Sequence, residues 1–481
     1  MKTAIDRQVG VGGFSASLRL LTCGLVGLGL ALRATAAAGA GTADETFKLR
    51  EVSAFEYGDE GFLRGQSGAC EDKPYPQVKA YPAFASKKPI YGSIQFNLDR
   101  KQPNSGQTVY YAVDESKGTG KGYDRLYFDA DGDFDLRNDP VVKPQSQPPE
   151  KARLNYSGVK AQVIFDCLAV NLDGGPAGLR PVQVMPRLMI SVYEKEEYKQ
   201  MSFVRTRLCR GDIEFGGVPY EALLGNDYSI SGRLDTPGTL LMLSPKGHSG
   251  DRVRWWGSDR LMAVHKVKGR FYTFSATPTG DQLTLHPYRG ELGAFEIGPG
   301  GRALKDMTVT GSLEGEERAV AVGGEIVASS PKAERSCQLP VGDYRPNYIT
   351  IQFGHLRIAA SHNYHADGKP MGWSERAPVY GITIRKDKPF VLDFSNKPDV
   401  MFASPAKDLQ VKLGESLQVK AVLIDPKLDM MIRRFEDTAP KQTKPTEGQA
   451  AGDQRPVSLD PKVIITRANG EKVVEGVMPF G

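Results

Sequence analysis

A chain of 481 residues, 40% hydrophobic and 25% charged, is globular in composition and too long for one ordinary core, so roughly three or four domains are expected. Of its formal charge of +5, +3 belongs to residues 1–43, where Lys2, Arg7, Arg19 and Arg33 stand against Asp6, which leaves about +2 for the remainder. A nearly neutral chain carries no electrostatic footprint for nucleic acid or for an anionic membrane surface.

The N-terminal segment reads as a signal peptide. A basic region ends at Arg19, an apolar run covers Leu20 to Leu32, and the small residues Ala34-Thr35-Ala36-Ala37-Ala38-Gly39-Ala40 supply cleavage sites. The apolar run is too short for a membrane span, and no later stretch reaches that length. Cys23 lies inside the run rather than after it, so lipidation is not expected. Removal of residues 1–43 leaves Cys70, Cys167, Cys209 and Cys337. An even number in an oxidising compartment permits two disulfides, and Cys167 with Cys209 is the favoured pair, against buried free thiols. None has C-x-x-C spacing, which excludes a zinc ribbon.

Helix-forming runs are scarce, while 53 glycines and 32 prolines suit short strands joined by turns. The expected fold is therefore mainly β and multi-domain, built of β-sandwich and Ig-like modules. Residues 44–215 form a first β-rich domain, with strands at Ile90–Phe96, Thr108–Val113, Arg125–Phe128, Ala161–Phe165, Leu188–Tyr193 and Met201–Leu208. A second, 216–300, carries Tyr220–Leu224, Thr239–Leu243, a hairpin of Ala263–Val267 and Phe271–Ala276 about Gly269-Arg270, and Gln282–His286. A third, 301–400, reads as a β-sandwich, and a fourth, 401–481, as an Ig-like sandwich. The Pro-, Lys- and Thr-rich stretch 438–456 interrupts the last domain and reads as a mobile insertion.

The chemically densest stretch is Asp129-Ala130-Asp131-Gly132-Asp133-Phe134-Asp135, followed by Asn138 and Asp139. Alternate carboxylates on a glycine-bearing loop can turn several oxygens toward one point, as Ca²⁺ requires, and without a cation they repel one another. Asp129, Asp131, Asp133 and Asp135 are the candidate ligands. One hundred residues on, Gly232-Arg233-Leu234-Asp235 echoes Gly132-Asp133-Phe134-Asp135. With each glycine set at position six of an EF-hand register, the second loop offers Asp227, Ser229, Ser231 and Asp235, and position twelve holds Asn138 or Gly238 where a glutamate is expected. Asp and Gly also serve ordinary turns, which is the bland alternative for both loops.

The segment Asp114-Glu115-Ser116-Lys117-Gly118-Thr119-Gly120-Lys121-Gly122-Tyr123-Asp124-Arg125-Leu126-Tyr127-Phe128-Asp129 resembles a recurring stretch of large, uncharacterised exported β-rich proteins of environmental bacteria. The ending, Ser458 to Val463 and Glu475 to Gly481, is similar to tails in the same group. The resemblance implies export and β architecture and brings no catalytic residue with it.

Other candidates are weaker. In Arg252-Val253-Arg254-Trp255-Trp256, adjacent aromatics on a strand point to opposite faces, so one of Trp255 and Trp256 could form an exposed platform for a sugar ring or a protein. Trp373 is ambiguous in the same way. His362, His365 and Asp367 have ligand-like spacing on a loop, without a third partner nearby. Gly247-His248-Ser249-Gly250-Asp251 lacks nucleophile-elbow spacing, and Glu194, Glu196 and Glu197 read as a solvated turn. The expectation is an exported, non-enzymatic protein, periplasmic or extracellular, that binds an envelope polymer or an extracellular protein and is stiffened by Ca²⁺. The alternative is a secreted hydrolase of polysaccharide or peptide whose carboxylates are distant in sequence.

Overall fold

The structure, a computed structural model, describes residues 43–478 apart from internal segments, of which the longest are 98–105, 247–259, 299–306, 365–380 and 440–455. The leader and the bulk of the 438–456 stretch lie outside the described residues. The chain is mainly β, with 60% strand and 4% helix, divided among several sheets. No helix among the described residues is long and apolar enough to cross a membrane.

Eight strands form the sheet that carries the acidic loop: β1 (Gln66–Glu71), β2 (Ile90–Phe96), β3 (Gln107–Asp114), β4 (Arg125–Phe128), β5 (Val159–Ile164), β6 (Leu168–Asp173), β7 (Leu179–Tyr193) and β8 (Glu196–Arg205). Their order is β4-β3-β2-β1-β8-β7-β5, with β6 also on β7. The two edges are joined by the chain after the acidic loop. Leu126 and Val142 exchange both backbone hydrogen bonds, the Gln145 amide donates to the Ile164 carbonyl, and the Asp166 amide donates to the Lys143 carbonyl. These bonds bridge the two edge strands, so the sheet closes into a barrel at 142–145.

Period-two alternation fills the barrel. Ile90, Ile94 and Phe96 of β2, Val109, Tyr111 and Val113 of β3, and Met201 and Phe203 of β8 belong to one buried cluster. Gly92 shares the inward face of β2 because a Cβ there would fall 2.0 Å from the Tyr111 ring. The opposite faces are buried as well. Ile164, Met185 and Val204 pack outward against Leu208, Leu223, Leu240 and Met242 of a four-stranded sheet. That sheet, ordered Leu240–Pro245, Val218–Gly225, Arg207–Phe215 and Arg50–Ser53, sends Cys209, Ile213, Tyr220, Ala222, Leu224 and Leu241 the other way. There they meet Tyr272, Phe274, Leu283 and Leu285 of a thirteen-stranded sheet. The four-stranded sheet is thus a middle layer, apolar on both faces.

The thirteen-stranded sheet runs from Glu45–Lys48 to Asp399–Ser404 and includes one parallel contact, Ala263–Val267 on Ala319–Val322. A three-stranded sheet packs Phe295, Ile297, Leu339 and Leu392 onto its Val309, Leu313, Ile349 and Ile351. Strand pairing crosses the positions where sequence composition suggested breaks: Arg207–Phe215 pairs with Val218–Gly225, and Leu356–Ser361 pairs with Met430–Asp437.

Cys167 and Cys209 are both free thiols, so the favoured Cys167–Cys209 pairing is not formed. Cys209 faces the core between the middle sheet and the thirteen-stranded one, whereas Cys167 is exposed just past β5 on the barrel. Cys167 lies on a short connection between strands, outside the core that holds Cys209.

His265, on Ala263–Val267, is buried against Phe274, and neither ring nitrogen has a hydrogen-bond partner. Burial alone pulls its pKa from 6.5 down to about 4. The neutral form is favoured in the fold, so the unfolded chain binds the extra proton between those two values and stability falls as pH drops through that window. The gap corresponds to a loss of about 3 kcal/mol at most. Urea unfolding of His265→Leu is expected to show a flatter stability profile between pH 7 and pH 4 than the parent; identical profiles would contradict the assignment.

Candidate cation site at the barrel seam

The acidic loop leaves the barrel at the end of β4 and returns as the seam segment 142–145. Its first residue is fixed by the Asp129 amide donating to the Tyr110 carbonyl. The loop then folds over its own carboxylates. Asp129 Oδ1 accepts from the Gly132 and Phe134 amides at 3.0 and 3.4 Å. Asp131 Oδ1 accepts from the Asp133 amide at 3.2 Å, and Asp133 Oδ1 from the Asp135 amide at 2.7 Å. These turns require left-handed backbone at Gly132 and at Phe134, where φ is +67°. A bulky side chain in that region is uncommon.

The carboxylates of Asp129, Asp131 and Asp133 converge, each offering an oxygen within 4.8 Å of the others. Asp129 is 1% exposed, and its Oδ2 is buried without a hydrogen-bond partner. Asp139, 9% exposed, closes the loop from the far side; its Oδ1 accepts from the Ala130 amide at 3.1 Å, and its Oδ2 is likewise buried without a partner. Burial raises both pKa values, Asp139 to about 6, and the neighbouring Asp129, Asp131 and Asp133 charges push Asp139 the same way.

Asp135 behaves differently. Arg137 grips its carboxylate with two hydrogen bonds, Nε to Oδ1 at 2.9 Å and Nη2 to Oδ2 at 2.7 Å, which holds its pKa down at about 2. The other nearby cation, Lys79, donates to the Asp133 carbonyl and lies 5.7 Å from the centre of the Phe134 ring. Neither side chain donates to Asp129 Oδ2 or Asp139 Oδ2.

Beneath the loop runs segment 72–88, which crosses the outer face of the barrel. The Lys79 amide donates to the Phe134 carbonyl and the Leu136 amide to the Ala80 carbonyl, so loop and segment share a short ladder. Tyr75, Tyr81 and Phe84 cover the outward faces of Tyr110 and Tyr127. The far end is pinned by Asp114, fully buried, whose two oxygens accept from the Ala85 and Ser86 amides at 2.8 and 2.9 Å.

The echo at 232–235 is a packed corner. Arg233 holds Asp235 bidentately, the Gly232 amide donates to Asn97 Oδ1, and Arg205 donates to the Ser231 carbonyl. Asp227 lies outside the described residues, as do Trp255, Trp256, Trp373, His362, His365, Asp367 and the 247–251 turn. No family model, curated protein or solved structure matches this chain.

Asp114→Ala would leave two amides of segment 72–88 without an acceptor, at a cost of about 2–4 kcal/mol. Faster hydrogen exchange at Ala85 and Ser86, together with a lower urea midpoint, is the expected result; unchanged exchange would show that Asp114 does not pin the segment.

Proposed function

We propose that this chain is an exported, non-enzymatic protein of the periplasm or extracellular space that binds an envelope polymer or another protein, and that Ca²⁺ stiffens its acidic loop. Residues 1–43 act in this reading as a removable signal peptide, and the layered sheets act as β-sandwich and Ig-like modules. Trp255 and Trp256 are the proposed ligand-contact aromatics, and Asp129, Asp131, Asp133 and Asp135 are the cation ligands that the sequence nominates.

One observation carries the calcium reading. Asp129 Oδ2 is buried with no donor to satisfy it, on a carboxylate that converges with those of Asp131 and Asp133. An ionised oxygen in that position costs far more than a hydrogen-bonded one, and a hard cation is the partner that removes the cost for several carboxylates at once. The loop's location supports a structural role, since it leads directly into the seam that closes the barrel.

Calorimetric titration of the mature protein with Ca²⁺ tests this. Heat of binding is expected, with a rise in melting temperature equivalent to about 2.7 kcal/mol when free Ca²⁺ is about 100 times Kd. Asp131→Ala and Asp133→Ala should each weaken binding. Neither heat nor a melting shift in the parent protein would sink the reading.

A further inference from the structure

We infer that Asp139, rather than Asp135, is the carboxylate that completes the cation site, closing it from the C-terminal side of the loop. This rests on the calcium reading above and changes which residues carry it.

Three observations lead here. Both oxygens of Asp135 are committed to Arg137, so using them for an ion would mean breaking a bidentate pair. Asp139 has the complementary character: nine-tenths buried, one oxygen held by the Ala130 amide, the other buried and unpartnered, within the field of Asp129, Asp131 and Asp133. A buried oxygen without a donor implies a missing partner, and the loop carries two of them, Asp129 Oδ2 at its start and Asp139 Oδ2 at its end.

The third is register. The convergence of Asp129, Asp131 and Asp133 suits positions one, three and five of a calcium loop, which places Phe134, with its φ of +67°, where such loops carry glycine. Position seven of that register contributes a backbone carbonyl, so Asp135 is free to spend its side chain on Arg137. The acidic residue that closes such a loop stands at position twelve; here Pro140 occupies that position, and Asp139 supplies the carboxylate one residue earlier. The register with glycine 132 at position six, by contrast, has Tyr127 first, a residue buried under Phe84.

The test compares Asp139→Asn and Asp135→Asn in the full mature chain, with Ca²⁺ alone as the probe. Asp139→Asn is expected to weaken Ca²⁺ binding by about tenfold or more, because ligand charge sets affinity, whereas Asp135→Asn should change it by less than about threefold. Melting temperature supplies a readout that a purely structural Asp139 would not give. In chelator-treated protein Asp139→Asn should melt no lower than the parent, since it removes a buried charge without a partner; in saturating Ca²⁺ it should melt lower. A drop of equal size in both conditions would make Asp139 a mere acceptor for the Ala130 amide and overturn the assignment. Parent-like binding by Asp139→Asn, or a loss confined to Asp135→Asn, would overturn it while leaving the calcium reading intact. Absence of binding by the parent would remove both.

Discussion

Closure of the barrel at residues 142–145 is the constraint on which the site depends. A sheet that curls around Tyr111, Phe128 and Phe203 must pair its last strand with its first or leave backbone groups open, and the pairing is supplied by a segment that is not itself a long strand. The acidic loop delivers that segment. Whatever fixes the loop also fixes where Val142 meets Leu126, and so bears on the seam.

Burial on two faces is the second theme. β3 sends Val109, Tyr111 and Val113 inward and Tyr110 and Ala112 outward, and both sets are covered. The middle sheet does the same between Leu223 and Leu224. Outer faces covered by another sheet keep their backbone hydrogen bonds within ladders. The outer face of β3 is covered instead by segment 72–88, whose amides need acceptors from side chains. Asp114 meets that need with both its oxygens satisfied. Asp129 and Asp139 serve the loop in the same way, each with one oxygen left over. What sets Asp129 and Asp139 apart from Asp114 is that spare, buried oxygen.

Much of the fold was legible in the sequence. Alternation in Ile90–Phe96, the Gly269 hairpin and the strand at Gln282–His286 are all strands where expected. Other strands hid for physical reasons. The first part of β7, ahead of the expected Leu188–Tyr193, runs through Pro181 and Pro186, residues that argue against a strand interior, yet these pair with Asn171 and Phe203. β1, Gln-Ser-Gly-Ala-Cys-Glu, offers almost no apolar pattern because Tyr111 supplies the bulk beside Gly68. In the loop, alternate aspartates announced three converging carboxylates. Two facts were invisible: Arg137 takes Asp135, and Asp139 becomes buried only because the chain turns back to make the seam. Both depend on tertiary position, which residue spacing does not encode.

The most direct measurement is a crystal structure of the mature protein grown in Ca²⁺, with anomalous data to identify the ion. The account predicts one calcium between the two ends of the loop, with oxygens of Asp129 and Asp139 at about 2.3–2.6 Å from it. Water or the Lys79 ammonium in that position, under saturating Ca²⁺, would contradict it.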